Sequence, residues 1–190
     1  MPSSKRVHRR NVNHPGHAHE LTFSCYHGFE FLKAERTCLW LIEAINAARL
    51  KHDVAVWAYV FMPDHVHLLI CPRRAEYDIA AIRQTIKEPV AKKAVPYLKS
   101  HSSEWLSRIA VQKGNHTRHQ FWQKGGGYDR NITEPKTLHK MIEYIHLNPV
   151  RRGLVERSGD WMWSSASWFA EAGKSPLMMD RIPPEWTACD

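Results

Sequence analysis

Residues 54–71 restrict the possible folds of this chain more than any other segment. The run VAVWAYVFM is rich in β-branched and aromatic residues, PD at 63–64 is a turn signal, and HVHLLIC at 65–71 is a second apolar run. Two such runs on either side of a two-residue turn predict an antiparallel β-hairpin. The run at 54–62 is also far too short to cross a bilayer, so we expect no membrane partner. The hairpin is therefore expected to lie inside a globular domain.

Strand and helix patterns also surround this hairpin. Residues 20–27 alternate apolar and polar side chains as a strand does, and 36–51 carry apolar residues at helical spacing. A long helical region is predicted over 75–100, where Pro89 and Pro96 are expected to break or kink the helix. The first half of the chain thus alternates a strand, a helix, the hairpin and a second helix.

The second half adds one strand and one more helix. The polar residues 101–120 are expected to form a loop, and 119–132 a strand interrupted by three consecutive glycines. A helix is predicted over 134–148, ending at Asn148 because Pro149 disfavours helical geometry in the residue before it. The order predicts an α+β domain with a mainly antiparallel sheet, most simply a ferredoxin-like βαββαβ core with an additional helix.

His65 and His67 stand one residue apart in the second strand of the hairpin. Because side chains alternate along a strand, both imidazoles project from one side, while Leu68 and Ile70 point the other way into the core. The two histidines therefore need not be buried, and they are close enough to share one divalent cation. Equally, they can be ordinary strand histidines that make local hydrogen bonds.

The predicted helix 134–148 offers two further polar groups. Its buried stripe consists of Leu138, Met141, Ile142 and Ile145. Tyr144 and Asn148 lie one turn apart on the flank of that stripe, so a phenol and an amide are expected side by side near the sheet. The alternative is that Tyr144 is a boundary aromatic residue and Asn148 a helix cap.

Composition favours a polyanionic partner without requiring one. The net charge is +8, and the N-terminal residues 1–18 resemble a basic, flexible arm. The eight tryptophans add rings on which unpaired bases can stack, although most are expected in the core. No apolar signal segment is apparent at the N-terminus, and the four cysteines lack paired CxxC spacing, which favours the reducing cytoplasm.

Four motifs resemble a known family when taken in order. MPDHVHLLI, FWQKGGGYDRNI, YIHLNPVRRGLV and DWMWSS occur in this sequence as they do in the single-tyrosine HUH transposases, with the REP-associated tyrosine transposase branch most similar. The resemblance covers roughly residues 20–168. It implies a ferredoxin-like sheet with the tyrosine on a covering helix, and hence a transposase domain over 19–168 with a C-terminal tail over 169–190.

The resemblance also implies site residues and a reaction. It makes Tyr144 the nucleophile and His65 and His67 the metal ligands. Asn148 is the third ligand, at a position where some relatives have Gln. The implied reaction is cleavage and rejoining of single-stranded DNA, including hairpin-forming repeats, through a 5′-phosphotyrosine with Mg²⁺ or Mn²⁺ as cofactor. A monomer and a homodimer are both compatible with it.

Several alternatives remain open from the sequence. The residues expected to hold DNA are basic ones near the site, which can equally form a solvated face: Lys124, Arg130, Arg151 and Arg152. Tyr128 follows the three glycines and is a rival nucleophile. The chain could also be an inactive DNA-binding module derived from such an enzyme, or a metallohydrolase that uses activated water and forms no covalent adduct.

Overall fold

The computed structural model describes residues 12–170 and 175–187 of the chain. In chain order its strands and α-helices are β1 (Ala18–Ser24), α1 (Glu35–His52), β2 (Val54–Phe61), β3 (His65–Pro72), α2 (Ile79–His101), α3 (Ser103–Arg108), β4 (Ala110–Lys113), β5 (His116–His119), β6 (Tyr128–Ile132), α4 (Pro135–Arg151) and α5 (Ala166–Ala170). Short 3₁₀ turns occur at Tyr26–Gly28, Phe31–Lys33, Ser158–Asp160 and Pro184–Trp186. No helix in these ranges combines the length and the apolar composition needed to cross a membrane.

The main sheet contains four antiparallel strands in the order β2-β3-β1-β6, and β4 pairs with β5 in a separate two-stranded ribbon. The predicted hairpin is formed by β2 and β3, with Phe61 opposite Val66 next to the turn. β1 lies between β3 and β6, so the first strand of the chain is central. The α+β class with an antiparallel sheet is confirmed.

Each face of the sheet carries its own apolar cluster. On one face, side chains such as Leu21 and Leu68 pack under α1 and α2. On the other face, Trp57 and Val60 pack under α4, whose stripe of Leu138, Met141, Ile142 and Ile145 is buried as predicted. His67 follows the alternation of β3 and lies on the α4 side, opposite Thr22 of β1. The site therefore lies between the sheet and α4.

Three prolines lie inside helices that they were expected to break or end. α4 continues through Pro149 to Arg151, and α2 runs unbroken through Pro89 and Pro96. Pro149 is buried within α4, so the steric bias against a helical Asn148 is overcome in the folded domain. Pro89 and Pro96 are on partly or fully exposed positions of α2, where water can bond the carbonyls left without a donor.

The region between α2 and α4 also differs from the expectation. Residues 101–120 contain α3 and the β4–β5 ribbon rather than a loop. The sequence did not predict this ribbon, because strands exposed on both faces lack the apolar alternation from which a strand is recognised. The strand expected over 119–132 is confined to β6. Gly125 and Gly127 before it adopt positive φ angles of 101° and 70°, which are incompatible with an extended strand.

A C-terminal segment of the chain covers one edge of the sheet. Residues 1–11 of the predicted basic arm, and 171–174 and 188–190 of the predicted tail, lie outside the described residues. The C-terminal segment runs along the outer edge of β2. Trp163 O accepts a hydrogen bond from Phe61 N at 2.8 Å, and Asp180 N donates one to Val56 O at 2.9 Å. The outer edge of β2 is therefore covered by the chain itself.

Candidate active site

The His65 and His67 rings are neighbours on β3, with centroids 4.9 Å apart and planes nearly perpendicular. Both residues are buried, with exposed fractions of 9% and 5%, although the sequence suggested that they could face solvent. Contact between α4 and β3 accounts for part of this burial. The shared orientation expected from strand alternation is nevertheless present.

Carboxylates hold the Nδ1 atom of each histidine. His67 Nδ1 lies 2.9 Å from Glu20 Oε1 and 2.8 Å from Thr22 Oγ1, and the Thr22 hydroxyl itself donates to Glu20. His65 Nδ1 lies 2.8 Å from Asp64 Oδ1. An ionised carboxylate accepts, so each Nδ1 carries the proton and each Nε2 is left with a lone pair. Within the described residues, nothing hydrogen-bonds either Nε2 atom.

The local environment favours a neutral His65. Burial lowers the pKa of this imidazole, and the hydrogen bond from Nδ1 to Asp64 opposes that effect only in part. The nearby His67 and Arg152 lower the pKa of His65 further. A neutral imidazole with a free nitrogen is the form that binds metal ions.

Tyr144 of α4 lies beside this pair, and Asn148 follows it one helical turn later. The Tyr144 ring is 5.4 Å from the His67 ring and nearly perpendicular to it. Tyr144 is 41% exposed, so its phenol is accessible from solvent. Asn148 is buried, and its Nδ2 donates to Tyr144 O at 2.7 Å, which leaves the Oδ1 acceptor available.

An open cleft of about 600 Å³ is lined by His67 and Tyr144 but not by His65 or Asn148. Glu20, Thr22 and His67 lie at its inner side, and Tyr128 and Tyr144 both line it. The cleft therefore brings the proposed nucleophile and its rival together. Arg130, predicted to hold DNA, also lines it, and so does Lys140, which the sequence did not single out.

The other predicted DNA-binding residues occupy different positions. The Arg151 guanidinium lies 5.2 Å from the centre of the Tyr144 ring. Arg152 is 3.6 Å from the Asp64 carboxylate that holds His65. Lys124 is exposed in the glycine-containing turn before β6 and does not line the cleft.

His65 and His67 supply two nitrogen donors, so a divalent cation bound here would need at least one further ligand. Across residues 12–170 and 175–187, no group of three or more His, Cys, Asp or Glu side chains is arranged to hold a metal ion. Two imidazoles with free Nε2 atoms, each oriented by a carboxylate, are nonetheless the arrangement typical of metal-binding histidines. The Asn148 oxygen is the candidate third ligand in this set.

The sequence did not predict that the carboxylates of Glu20 and Asp64 would contact His67 and His65. Glu20 and Thr22 are polar positions of β1 that alternate with buried Leu21 and Phe23, which was the available signal for their side of the sheet. Their contact with His67 depends on the β1–β3 register, which no local pattern reveals. Asp64 was interpreted only as a turn residue.

No family model matches the chain. A provisionally named REP-associated tyrosine transposase of Haemophilus influenzae is 29% identical over 149 residues, which cover 72% of this chain and 77% of that protein.

A solved structure shares the fold. A REP-associated tyrosine transposase bound to a REP hairpin aligns with a TM-score of 0.69 and 18% identity, covering 90% of this chain and 89% of that one. A provisionally named transposase of Deinococcus radiodurans aligns with a TM-score of 0.43 and 17% identity, covering 72% of this chain and 95% of that one. The resemblance indicated by the four motifs is thus supported by a sequence relative and by a shared fold, and both are similar to this chain over most of its length.

Proposed function

We propose that this chain is a divalent-metal-dependent transposase that cleaves and rejoins single-stranded DNA through a 5′-phosphotyrosine on Tyr144. The observation that carries the proposal is the position of the accessible Tyr144 phenol beside His67, whose Nε2 is free. His65 and Asn148 would complete the set that holds Mg²⁺ or Mn²⁺. When bound, that ion supplies charge neutralisation at the scissile phosphate.

Tyr144 acts as the nucleophile in this proposal. Its phenolic oxygen attacks the phosphorus, the bond to the 3′ oxygen breaks, and the proton lost by the phenol is balanced by one gained by the leaving 3′-hydroxyl. The new bond joins Tyr144 to the 5′ phosphate. Because this ester keeps the phosphodiester linkage, attack by a second 3′-hydroxyl reverses the step and joins two strands.

Arg151 and the cleft support this role. The guanidinium over the Tyr144 ring favours negative charge on the phenol oxygen as its proton leaves. Arg130 and Lys140 line the cleft and offer positive charge to the phosphates on either side of the scissile bond. The partner we propose is a DNA hairpin with a single-stranded flank, and the solved structure that shares the fold is bound to a REP hairpin.

A covalent-adduct assay tests the nucleophile. Labelled hairpin DNA with a single-stranded flank is incubated with Mg²⁺ or Mn²⁺, and adducts are resolved on a denaturing gel. We expect wild type to form the adduct and Tyr144→Phe to form none. Tyr128→Phe is the matched control, since it removes the other phenol of the same cleft and should retain the adduct.

The histidine pair and the metal are tested in the same assay. His67→Ala and removal of divalent ions by a chelator should each reduce adduct formation by about 100-fold or more, since charge neutralisation by a metal contributes several kcal/mol. Adduct formation by Tyr144→Phe would refute the assigned nucleophile. Cleavage without an adduct would instead indicate a hydrolase that uses activated water.

A further inference from the structure

The β4–β5 ribbon, residues 110–119, has one cationic face. In its register Val111 pairs with Arg118 and Lys113 pairs with His116. Directly paired residues of an antiparallel ribbon share a face, and positions alternate along each strand. Lys113, His116 and Arg118 therefore project from the same side of the ribbon. We call this side the basic face of the ribbon.

The opposite face has a different composition. It contains Ala110, Gln112, Thr117 and His119, and the Thr117 hydroxyl donates to Gln112 Oε1 at 3.0 Å. By contrast, Lys113, His116 and Arg118 are exposed, and none of their side chains has a hydrogen-bond or ion-pair partner in the described part of the chain. No Asp or Glu occurs between residues 110 and 119. The positive charge of the basic face is thus uncompensated.

The base of the ribbon is firmly held by the rest of the domain. Ile109, just before β4, is completely buried, and its carbonyl accepts from Gln120 N at 2.8 Å, which extends the ribbon pairing by one step. Phe121, just after β5, stacks on Phe31 with ring centroids 4.9 Å apart. Trp105 of α3 packs edge-on against the same Phe31 ring. A ribbon anchored in this way presents its charges in a fixed position.

A short segment joins the ribbon to the cleft. After Phe121, Trp122 forms an isolated bridge with Cys25, and Gln123 N donates to Ser24 O at 2.8 Å. These contacts lie at the end of β1, and the glycine turn then leads into β6, which carries Tyr128 and Arg130 into the cleft. The ribbon and the cleft are therefore consecutive along one rigidly attached segment.

We propose that the basic face of the ribbon docks on the double-helical stem of the DNA hairpin, whose single-stranded flank enters the cleft. A two-stranded β-ribbon is one of the two protein elements that the major groove of a duplex admits. Lys113 of β4 and Arg118 of β5 project from the same side of the ribbon and can each contact a phosphate that borders such a groove. This inference rests on the proposed function for the identity of the DNA and adds the part of the substrate that is held outside the cleft.

Binding measurements on the full chain test the docking. Fluorescence anisotropy compares wild type with Lys113→Ala/Arg118→Ala on three DNAs: the hairpin with its flank, a blunt duplex of the stem sequence, and the flank alone as a single strand. The matched control is Lys51→Ala/Arg74→Ala. It removes two exposed, unpaired cations at the end of α1 and just after β3, the end of that strand remote from His65.

For the hairpin and the blunt duplex, we expect the ribbon variant to lose on the order of tenfold in affinity near physiological salt. The slope of log affinity against log salt should become shallower by about two, one for each phosphate contact removed. Affinity for the single strand should not change, and the control variant should behave as wild type on all three DNAs.

Three outcomes would overturn the inference. An unchanged hairpin affinity would make the basic face a solvated surface, and an equal loss on the single strand would show that the ribbon does not recognise a stem. A loss equal to that of the control would indicate a general charge effect. Failure of the proposed function can be distinguished from failure of this inference. If Tyr144→Phe still forms the adduct while the ribbon variant loses affinity for the stem, the docking inference is supported and the assignment of Tyr144 as nucleophile is refuted.

Discussion

At the scale of single residues, His146 shows how burial directs chemistry. It is two positions from Tyr144, but its Nε2 lies 2.8 Å from Ser165 Oγ, and its ring packs against Phe169. Burial lowers the pKa of His146 to about 4, far below the usual 6.5 of histidine. Because His146 points towards Ser165 and stays neutral, it is unsuited to accept the proton of Tyr144. Its position on a different side of α4 from Tyr144 leads to the same conclusion.

The lowered pKa of His146 predicts a pH-dependent stability. Between pH 6.5 and pH 4 the unfolded chain protonates this imidazole and the folded chain does not, so the free energy of unfolding falls as the pH falls through that window. The contribution of this residue is at most about 3 kcal/mol. Urea unfolding at a series of pH values should show that the free energy of unfolding decreases less between pH 6.5 and pH 4 for His146→Asn than for wild type.

His139 provides the control for that measurement. It is an exposed histidine on the same helix, so His139→Asn should leave the dependence on pH as it is in wild type. If His146→Asn and wild type lose stability equally between pH 6.5 and pH 4, the assigned protonation state of His146 is incorrect.

The histidine pair illustrates what a sequence reveals about a residue. The alternation of β3 was sufficient to place His65 and His67 on one side, because that rule is local. Their burial and the carboxylates at their Nδ1 atoms were not predicted. Glu20 reaches His67 from a strand 47 residues earlier in the chain, and that contact depends on register across the sheet.

At the scale of elements, the glycine turn before β6 fixes where that strand begins. Gly127 has a φ of 70°, and a Cβ atom at this position would lie 2.0 Å from Thr22 O on β1. Gly126 is close to the Arg83 guanidinium of α2, which a Cβ would approach to 2.7 Å. Only glycine allows the backbone to pass this close to β1, and Tyr128 follows immediately at the edge of the cleft.

Replacement of Gly127 should therefore disrupt the pairing of β6. Gly127→Ala combines an unfavourable φ with a backbone overlap, and we expect it to lower the free energy of unfolding by about 3 kcal/mol. Gly159→Ala, where nothing lies within 4 Å of the added methyl group, should change it by no more than about 0.5 kcal/mol. Urea unfolding measures both, and equal effects would contradict the role assigned to the turn.

The helices show both the strength and the limit of periodicity. The stripe of α4 was predicted correctly because 3.6-residue spacing is set by backbone geometry. Its end was predicted wrongly, since a proline only biases the residue before it against helical geometry, and the helix continues through the buried Pro149 to Arg151. The β4–β5 ribbon was missed because exposure of both faces removes the hydrophobic signal.

At the scale of the whole molecule, one chain supplies every element of the candidate site. β1 and β3 carry the carboxylate and the histidines, and α4 returns over the same sheet to place Tyr144 beside His67. The fold class followed from the order of patterns, but this convergence did not, because it depends on how distant segments pack. Only the resemblance to a family connected the tyrosine with the histidines.

A mixing experiment follows from this arrangement. If each chain uses its own histidines and tyrosine, a mixture of His67→Ala and Tyr144→Phe should form no more adduct than the two variants assayed separately. Restoration of activity towards about a quarter to a half of the wild-type level would instead show that α4 is exchanged between two chains. The adduct assay on the hairpin substrate provides the measurement.

The contacts along β2 also bear on the synthesis of the protein. Trp163, Ser165 and Asp180 complete the hydrogen bonds of an edge strand that was made more than 100 residues earlier, and Asp180 additionally pairs with Arg49 and Arg73. A growing chain exposes that edge until these residues have left the ribosome, in a state prone to pair with other strands. The sheet that carries the histidines therefore lacks the cover of its β2 edge until residue 180 has left the ribosome.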